Sequence, residues 1–328
     1  MRIIKIPCFL CLFVILQSCL WNNTPGYFKN AQINSGKRAD FRELNQQAFT
    51  YIKAGDVNQL GSMLSKELLE NHETNRLVEV IGNGLKTDDY NLLDEYYVIN
   101  KRRSMDTVEN PSKNINSYKL IYSPVSEEMY IAFFTPKSGL SRSIITLVYG
   151  KYDYGWKLAN MDMGIYTLNG KTAPQLFELA QQQYNKNYLI DASNTMEMAK
   201  YAARPTDMWH YEDDSDMGRF YAKVSDEVHR QYHFPIAVKQ VPSHPRIFKV
   251  FDKTLDDGNT YPMIYYQSGI KLADTVALKK ENDQLRKVIG TIFPGIDKDK
   301  KHLLYTAFNQ LPNPQTTVDR YSVDDKLQ

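Results

Sequence analysis

The stretch that decides the fold reads EMYIAFFTPKSGLSRSIITLVYGKYDYGWKLANMDM and covers residues 128–163. It contains three segments rich in aromatic and β-branched residues, and each segment has the length of a strand. The tripeptide Asp153-Tyr154-Gly155 stands between the last two segments and predicts a hairpin turn. The upstream segments LDEYYVINKR (93–102) and SYKLIYS (117–123) have the same character. The sequence therefore predicts a run of antiparallel strands.

Helical periodicity precedes these strands. Apolar residues recur every three or four positions, at Phe41, Leu44, Ala48 and Ile52. The pair Gly55-Asp56 predicts the end of this helix and the start of the next one. A third helix is expected over about 73–86. Because helices followed by a run of antiparallel strands are typical of the α+β class, residues 38–170 are interpreted as one α+β unit.

The order of these elements resembles the cone-shaped fold of the nuclear-transport-factor-like superfamily. The resembling residues are the helix end AGD (54–56), GWKLANMDM (155–163) and YTLNGKT (166–172). The resemblance implies a curved antiparallel sheet that helices close around a pocket. That superfamily contains enzymes and many non-catalytic binding modules, so the resemblance leaves the function open.

The segment GIYTLNGKT (164–172) is similar to a phosphate-binding loop in its glycines and its Gly-Lys-Thr end. The loop pattern requires four residues between its first glycine and the Gly-Lys pair, whereas this segment has five, 165–169. Nucleotide binding is therefore not expected. The pair Asn169-Gly170 is interpreted as a tight turn.

Residues 171–205 predict a helical hairpin. Its apolar and small positions are Leu176, Leu179 and Ala180 on the first helix and Ala192, Met196 and Ala199 on the second. The pattern resembles one tetratricopeptide repeat. A single repeat cannot bury its own apolar face, so the hairpin is expected to pack on a neighbouring unit as a spacer. A peptide-binding solenoid is the alternative.

Residues 219–311 predict a second, smaller α+β unit, and residues 312–328 predict a coil tail. Its first helix is expected from Arg219 to about His233. The further expected elements are strands at IAVKQV (236–241), RIFKVFD (246–252) and TYPMIYYQ (260–267), a turn at Asp257-Gly258, and helices over about 272–290 and 299–310.

The first helix of this second unit carries the one cluster with metal-binding chemistry. His229 and His233 are four residues apart and share a face, and Asp226 lies on the same side. Two histidines and a carboxylate can bind zinc, but Arg230 stands where an HExxH motif has its glutamate. The cluster is interpreted as a surface pair. A metal-dependent hydrolase that uses Asp226, His229 and His233 is the alternative.

The first 18 residues have the organisation of a signal peptide. Arg2 and Lys5 precede an apolar run of 11 residues, IPCFLCLFVIL (6–16), which is too short to cross a bilayer. The following Leu16-Gln17-Ser18-Cys19 resembles the lipobox of bacterial lipoproteins. The resemblance implies cleavage before Cys19 and attachment of acyl chains such as palmitate to this residue. An ordinary secretory signal is the alternative.

Two features follow from a mature N-terminus at Cys19. Cys8 and Cys11 would be removed with the signal, so the mature chain would have no intramolecular disulfide and no thiol for catalysis or zinc binding. Residues 19–37 are polar and rich in Asn and Gly, which predicts a flexible tether. Leu20 stands where an aspartate would favour inner-membrane retention, and this favours the outer membrane of a Gram-negative bacterium.

The charge of the chain argues against nucleic acid as a partner. The chain has 40 Lys and Arg against 38 Asp and Glu, and Arg2 and Lys5 are the only charged residues among the first 18. The mature chain therefore has 38 basic and 38 acidic side chains, and it has no basic run. A neutral chain lacks the electrostatic footprint of nucleic-acid binding.

These features favour a non-catalytic lipoprotein of the cell envelope that binds a protein or a small ligand and needs no cofactor. The hydrolase with the Asp226, His229 and His233 site is the runner-up. A lipoprotein that assembles a secreted partner, or protects against one, is a third hypothesis. The sequence leaves the ligand, the partner and the oligomeric state open.

Overall fold

The computed structural model describes residues 24–101, 104–109, 114–256, 258–313 and 318–327. The predicted α+β class is confirmed: helices and mostly antiparallel sheets form separate layers. Two sheets of five strands each and one small sheet of three strands organise the described residues.

A five-stranded antiparallel sheet forms the centre of the first unit. In spatial order its strands are β1 (Gly26–Lys29), β2 (Tyr90–Ile99), β5 (Glu128–Pro136), β6 (Arg142–Tyr152) and β7 (Gly155–Thr167). The predicted turn between the last two strands is confirmed, because Tyr152 pairs with Gly155 and this glycine has a φ of 103°. The stretch quoted first therefore supplies three neighbouring strands of the sheet.

The expected tether over 19–37 is wrong from Gly26 onward. β1 pairs with β2 from Gly26–Ile99 to Lys29–Tyr96, which places it at one edge of the sheet. The next helix, α1 (Ser35–Ala54), begins within the same range. A strand of four residues has too short a pattern to be distinguished from a polar linker. Residues 19–23 lie outside the described residues.

Four helices cover one face of this sheet. They are α1, α2 (Val57–Met63), α3 (Lys66–Glu70) and α4 (Thr74–Thr87). Gly55 ends α1 in the left-handed conformation at a φ of 67°, and the Asp56 carboxylate accepts the Gln59 backbone N–H at 3.0 Å to begin α2. Phe41 stacks on Tyr130 of β5 at a ring-centroid distance of 4.0 Å, which joins α1 to the middle of the sheet.

The opposite face of the sheet is covered by the hairpin and a small sheet. The hairpin is α5 (Ala173–Asn185) and α6 (Leu189–Ala202), and the small sheet has the order β3 (Asp106–Glu109), β4 (Tyr118–Tyr122) and β8 (Trp209–Tyr211). Ala180 and Ala199 of the hairpin are buried in the core of the first unit, whereas Leu189 and Ala192 are buried in the core of the second unit. The hairpin thus packs between the two units.

The tight turn expected before the hairpin is also present. Asn169 and Gly170 have φ values of 50° and 75°, and the Lys171 N–H donates to the Leu168 carbonyl at 3.0 Å. Two successive positive φ values define the turn type that Asn-Gly favours. The segment is a turn of the backbone.

The second unit is a five-stranded mixed sheet with helices. In spatial order its strands are β13 (Tyr321–Lys326), β12 (His302–Phe308), β11 (Thr260–Gln267), β10 (Arg246–Thr254) and β9 (Ile236–Ala237), and its helices are α7 (Asp214–Gln231) and α8 (Thr275–Ile292). β11 and β12 are parallel, and the other neighbours are antiparallel. The strands expected at 246–252 and 260–267 and the helix expected at 272–290 are confirmed. Asp257 of the expected turn lies outside the described residues.

Two expectations for the second unit are wrong. Residues 302–308, expected in a helix over 299–310, form β12, and residues 321–326, expected in a coil tail, form β13. Leu303 to Phe308 are all buried, so they lack the alternation by which an exposed strand is recognised. β13 becomes a strand by pairing with β12, from His302–Lys326 to Ala307–Tyr321. The strand expected over 236–241 is limited to Ile236–Ala237.

Candidate functional site

A cleft of about 490 Å³ lies in the first unit between α1, the end of α4 and the strands β2 and β5. We call it the first cleft. Three groups of side chains surround it: a buried polar floor, an aromatic and aliphatic wall, and a charged mouth. Clefts of this size with a few polar groups among apolar walls are the usual form of small-ligand sites.

The floor of the first cleft is a chain of hydrogen bonds around Glu95. The side chain of Glu95 is only 2% exposed, and it forms an ion pair with Arg38 of α1. The Tyr130 hydroxyl donates to Glu95 Oε2 at 2.8 Å, and Asn45 Nδ2 donates to that hydroxyl at 2.8 Å. Asn45 Oδ1 is buried without a partner among the described residues. The floor therefore retains one unused acceptor.

The position of Glu95 follows from the geometry of β2. This strand has a register shift between Leu92 and Asp94 where it pairs with β5. Successive side chains of a strand point to opposite faces of its sheet. Glu95 accordingly faces α1, while the Asp94 carboxylate meets the Lys29 ammonium on the opposite side at 2.8 Å. One strand thus supplies two acids with separate partners.

The wall of the first cleft is apolar. Phe49 of α1 and Phe134 of β5 meet edge to face with their ring centroids 4.6 Å apart. Leu85 and Tyr90 continue this wall. Burial raises the pKa of the Tyr90 hydroxyl, with a smaller contribution from the charge of Asp88, so Tyr90 is neutral at physiological pH.

The mouth of the first cleft carries charges of both signs, but its acids already have partners. Lys137 pairs with Asp89 at 3.2 Å. The Ser138 hydroxyl donates to the Asp88 carboxylate at 2.6 Å, and this hydrogen bond lowers the pKa of Asp88. Arg42 and Lys53 also line the cleft, and their side chains form no ion pair or hydrogen bond with any residue that the structure describes. The charged side chains at the mouth that remain free to bind a ligand are therefore the two cations, Arg42 and Lys53.

The structure places the three predicted metal ligands on or beside α7. Asp226 and His229 lie on the helix, but His233 follows the residue that ends it, Tyr232. His229 Nδ1 lies 2.7 Å from the Ser225 carbonyl oxygen of its own helix. Over the described ranges, no group of three or more His, Cys, Asp or Glu side chains could hold a metal ion. The three residues are therefore not assembled into a metal site.

Cys19, the predicted lipid attachment residue, lies outside the described residues. In the part of the chain that is described, no helix has both the length and the apolarity needed to cross a membrane. Comparison of the sequence with protein-family models, and of the chain with curated proteins and solved structures, found no match.

None of the residues that line the first cleft was among the site residues predicted from the sequence. A signal was present in LLDEYYVI (92–99), where two adjacent acids interrupt an apolar strand. A charged residue inside a buried strand needs a partner, since burial of an unpaired charge is costly. Arg42 and Lys53 gave no such signal because basic residues on the polar face of a helix are ordinary.

Proposed function

We propose that this chain is a non-catalytic lipoprotein of the bacterial envelope. It is anchored through acyl chains on Cys19, and its first unit binds a ligand. The outer membrane is the proposed location. The observation that carries the binding function is the first cleft, in which a buried polar floor and an apolar wall lie beside two unpaired cations at the mouth, Arg42 and Lys53. The proposed likeness to the nuclear-transport-factor-like superfamily agrees with a pocket at this place.

The proposed ligand is a small molecule with an anionic group and an apolar body. Its anionic group would lie at Arg42 and Lys53, and its apolar body would contact Phe49 and Phe134. The acids of the cleft, Glu95, Asp88 and Asp89, each have a partner, and no group of side chains among the described residues could hold a metal ion, so binding without chemistry is the proposed role.

A matched pair of fluorescent probes tests this proposal. 8-Anilinonaphthalene-1-sulfonate is aromatic and anionic, and N-phenyl-1-naphthylamine is the same molecule without the sulfonate. We expect the sulfonate to bind residues 20–328 more tightly than the neutral probe. Replacing both cations, Arg42→Ala with Lys53→Ala, should weaken binding of the sulfonate about tenfold, because each exposed charge contributes up to about 1 kcal/mol.

The control for this experiment makes the same change of charge away from the cleft. Lys66 and Lys86 are exposed and do not line the first cleft. The double variant Lys66→Ala with Lys86→Ala should leave the affinity for both probes unchanged. Equal loss in the two double variants, or no loss in either, would contradict a specific anion site in this cleft.

The proposed anchor would hold the first unit close to the membrane. β1 begins at Gly26, and the numbering places Cys19 seven residues earlier. Seven residues reach at most about 25 Å when fully extended. Two or three acyl chains give a stable anchor, whereas one chain gives only reversible binding. Cys19→Ser should abolish labelling by radioactive palmitate and release the protein from membranes. Retention of label would refute the lipobox interpretation.

A further inference from the structure

A second cleft, of about 320 Å³, lies where the hairpin meets the second unit. Its walls come from α5 and α6, from β10 and the start of β11, and from the segment 298–301. Asn169 of the tight turn reaches the same cleft from the first unit. No residue lines both clefts. Clefts between packed units are frequent ligand sites.

One acid in the second cleft already has its cation. The Asp191 side chain is 3% exposed and accepts the Lys300 ammonium at 2.7 Å. This ammonium also donates to the carbonyl oxygens of Gly295 at 2.9 Å and Lys298 at 3.1 Å. An ammonium has three donors. Lys300 is therefore fully engaged, and it stabilises the cleft without being available to a ligand.

A second acid of this cleft, Asp252, forms no ion pair with a described residue. Its Oδ1 accepts the side-chain amide of Asn194 at 3.1 Å. Burial, followed by the nearby charge of Asp191, raises the pKa of Asp252 from 3.8 to about 7. Asp252 is nevertheless half-buried rather than enclosed, so a small ligand can reach it. A positive group beside it would restore the ionised carboxylate.

The rim of the second cleft carries three lysines and one exposed acid, Asp299, so it is positive on balance. Lys186, Lys298 and Lys301 are exposed there. Lys298 lies 3.7 Å from the carboxylate of Asp297, and Lys301 has no ion pair within the described ranges. A simple cation would be repelled by these lysines, and a simple anion would be repelled by Asp252. A ligand that carries both charges is complementary to both parts of the cleft.

We propose that the second cleft binds a small zwitterion of the amino-acid class, with its ammonium group against Asp252 and its carboxylate against Lys301 and Lys298. Such a ligand would also lie between the hairpin and the second unit. This site is independent of the first cleft and of the anchor, because it shares no residue with them.

Calorimetric titration of the mature chain in non-ionic detergent at pH 7.5 tests this inference. The probes are L-alanine, β-alanine, 4-aminobutanoate and 6-aminohexanoate, which separate the two charges by increasing distances. Butylamine and butanoate each carry only one of these charges. We expect at least one zwitterion to bind at least tenfold more tightly than both single-charge compounds. Absence of binding by all four zwitterions would overturn the inference.

Two variants with matched controls locate the site. Asp252→Asn should weaken binding of the preferred zwitterion at least tenfold, whereas Asp256→Asn, at an exposed position outside the cleft, should not change it. Lys301→Met should weaken binding, whereas Lys279→Met on the exposed side of α8 should not. Because Lys301 is exposed, its replacement leaves the fold intact. Unchanged affinity in both cleft variants would overturn the assignment.

Discussion

Replacement of Glu95 by alanine is the sharpest test of the floor of the first cleft. The change removes the acceptor of the Tyr130 hydroxyl and the partner of Arg38. Tyr130 is fully buried, and it would still accept the amide of Asn45 but would have no acceptor for its own proton. The variant therefore leaves a buried donor unsatisfied, which is more costly than the loss of one contact.

The magnitude follows from these contacts. A hydrogen bond to a charged acceptor contributes about 1.5–3 kcal/mol, and an unsatisfied buried donor costs about 1–3 kcal/mol. The lost ion pair adds at most about 1 kcal/mol, because the Arg38 side chain is 35% exposed and solvent screens it. We therefore expect Glu95→Ala to lower the free energy of unfolding by about 3 kcal/mol. Glu95→Gln keeps an acceptor for the Tyr130 hydroxyl, so it should lower the free energy of unfolding by only about 1 kcal/mol.

Equilibrium urea unfolding followed by circular dichroism measures these differences. Glu43→Ala is the control, since Glu43 is an exposed residue of the same helix as Arg38 and its loss should change stability by less than about 0.5 kcal/mol. A loss below about 1 kcal/mol for Glu95→Ala would refute the argument. Equal losses for the alanine and glutamine variants would show that the Tyr130 hydrogen bond is not the cause.

Gly164→Ala would place a Cβ 2.2 Å from the carbonyl oxygen of Pro205, and it should lower the free energy of unfolding by about 2 kcal/mol or more. Gly218 of α7 has open space around it, so Gly218→Ala should raise the free energy of unfolding by about 0.5–1 kcal/mol. Urea unfolding measures both changes. In thermal unfolding, Lys300→Met should lower the free energy of unfolding by about 3 kcal/mol at pH 8 and by less at pH 4. The reason is that burial raises the pKa of the Asp191 carboxyl, which favours its protonated form in acid. Because the pKa of Asp252 rises from 3.8 to about 7 on folding, its ionisation favours the unfolded chain as pH increases between these values. Asp252→Asn should thus stabilise the protein at pH 8, by up to about 4 kcal/mol, and leave it unchanged at pH 3.

Local signals predicted the first unit well. The strands of residues 128–163 were predicted because aromatic and β-branched residues fill them and a turn tripeptide separates the last two. The end of α1 and the start of α2 were predicted because Gly55 and Asp56 act on the backbone within a few residues. Asn169-Gly170 was interpreted correctly for the same reason. Each of these signals depends only on residues that are close to one another in the sequence.

The first cleft could not be predicted in this way. Glu95 and Tyr130 belong to neighbouring strands, and Asn45 belongs to a helix 85 residues before Tyr130 in the sequence. Their contact depends on the register between β2 and β5, including the shift at Leu92 and Asp94. A shift of one residue would move Glu95 to the other face of the sheet. The sequence around any one of these residues does not by itself fix that register, because it depends on the pattern of both strands.

The sequence by itself determined the α+β class and the course of most helices and strands, because side-chain periodicity and turn residues act locally. It also carries the prediction of an acylated Cys19. Only the tertiary structure decided that β1 and β13 are strands, since each is defined by its partner, β2 or β12. It likewise decided which charges are paired: Glu95 and Asp191 have cations, whereas Asp252 does not. Pairing between distant segments depends on the packed fold, and both clefts are products of that packing.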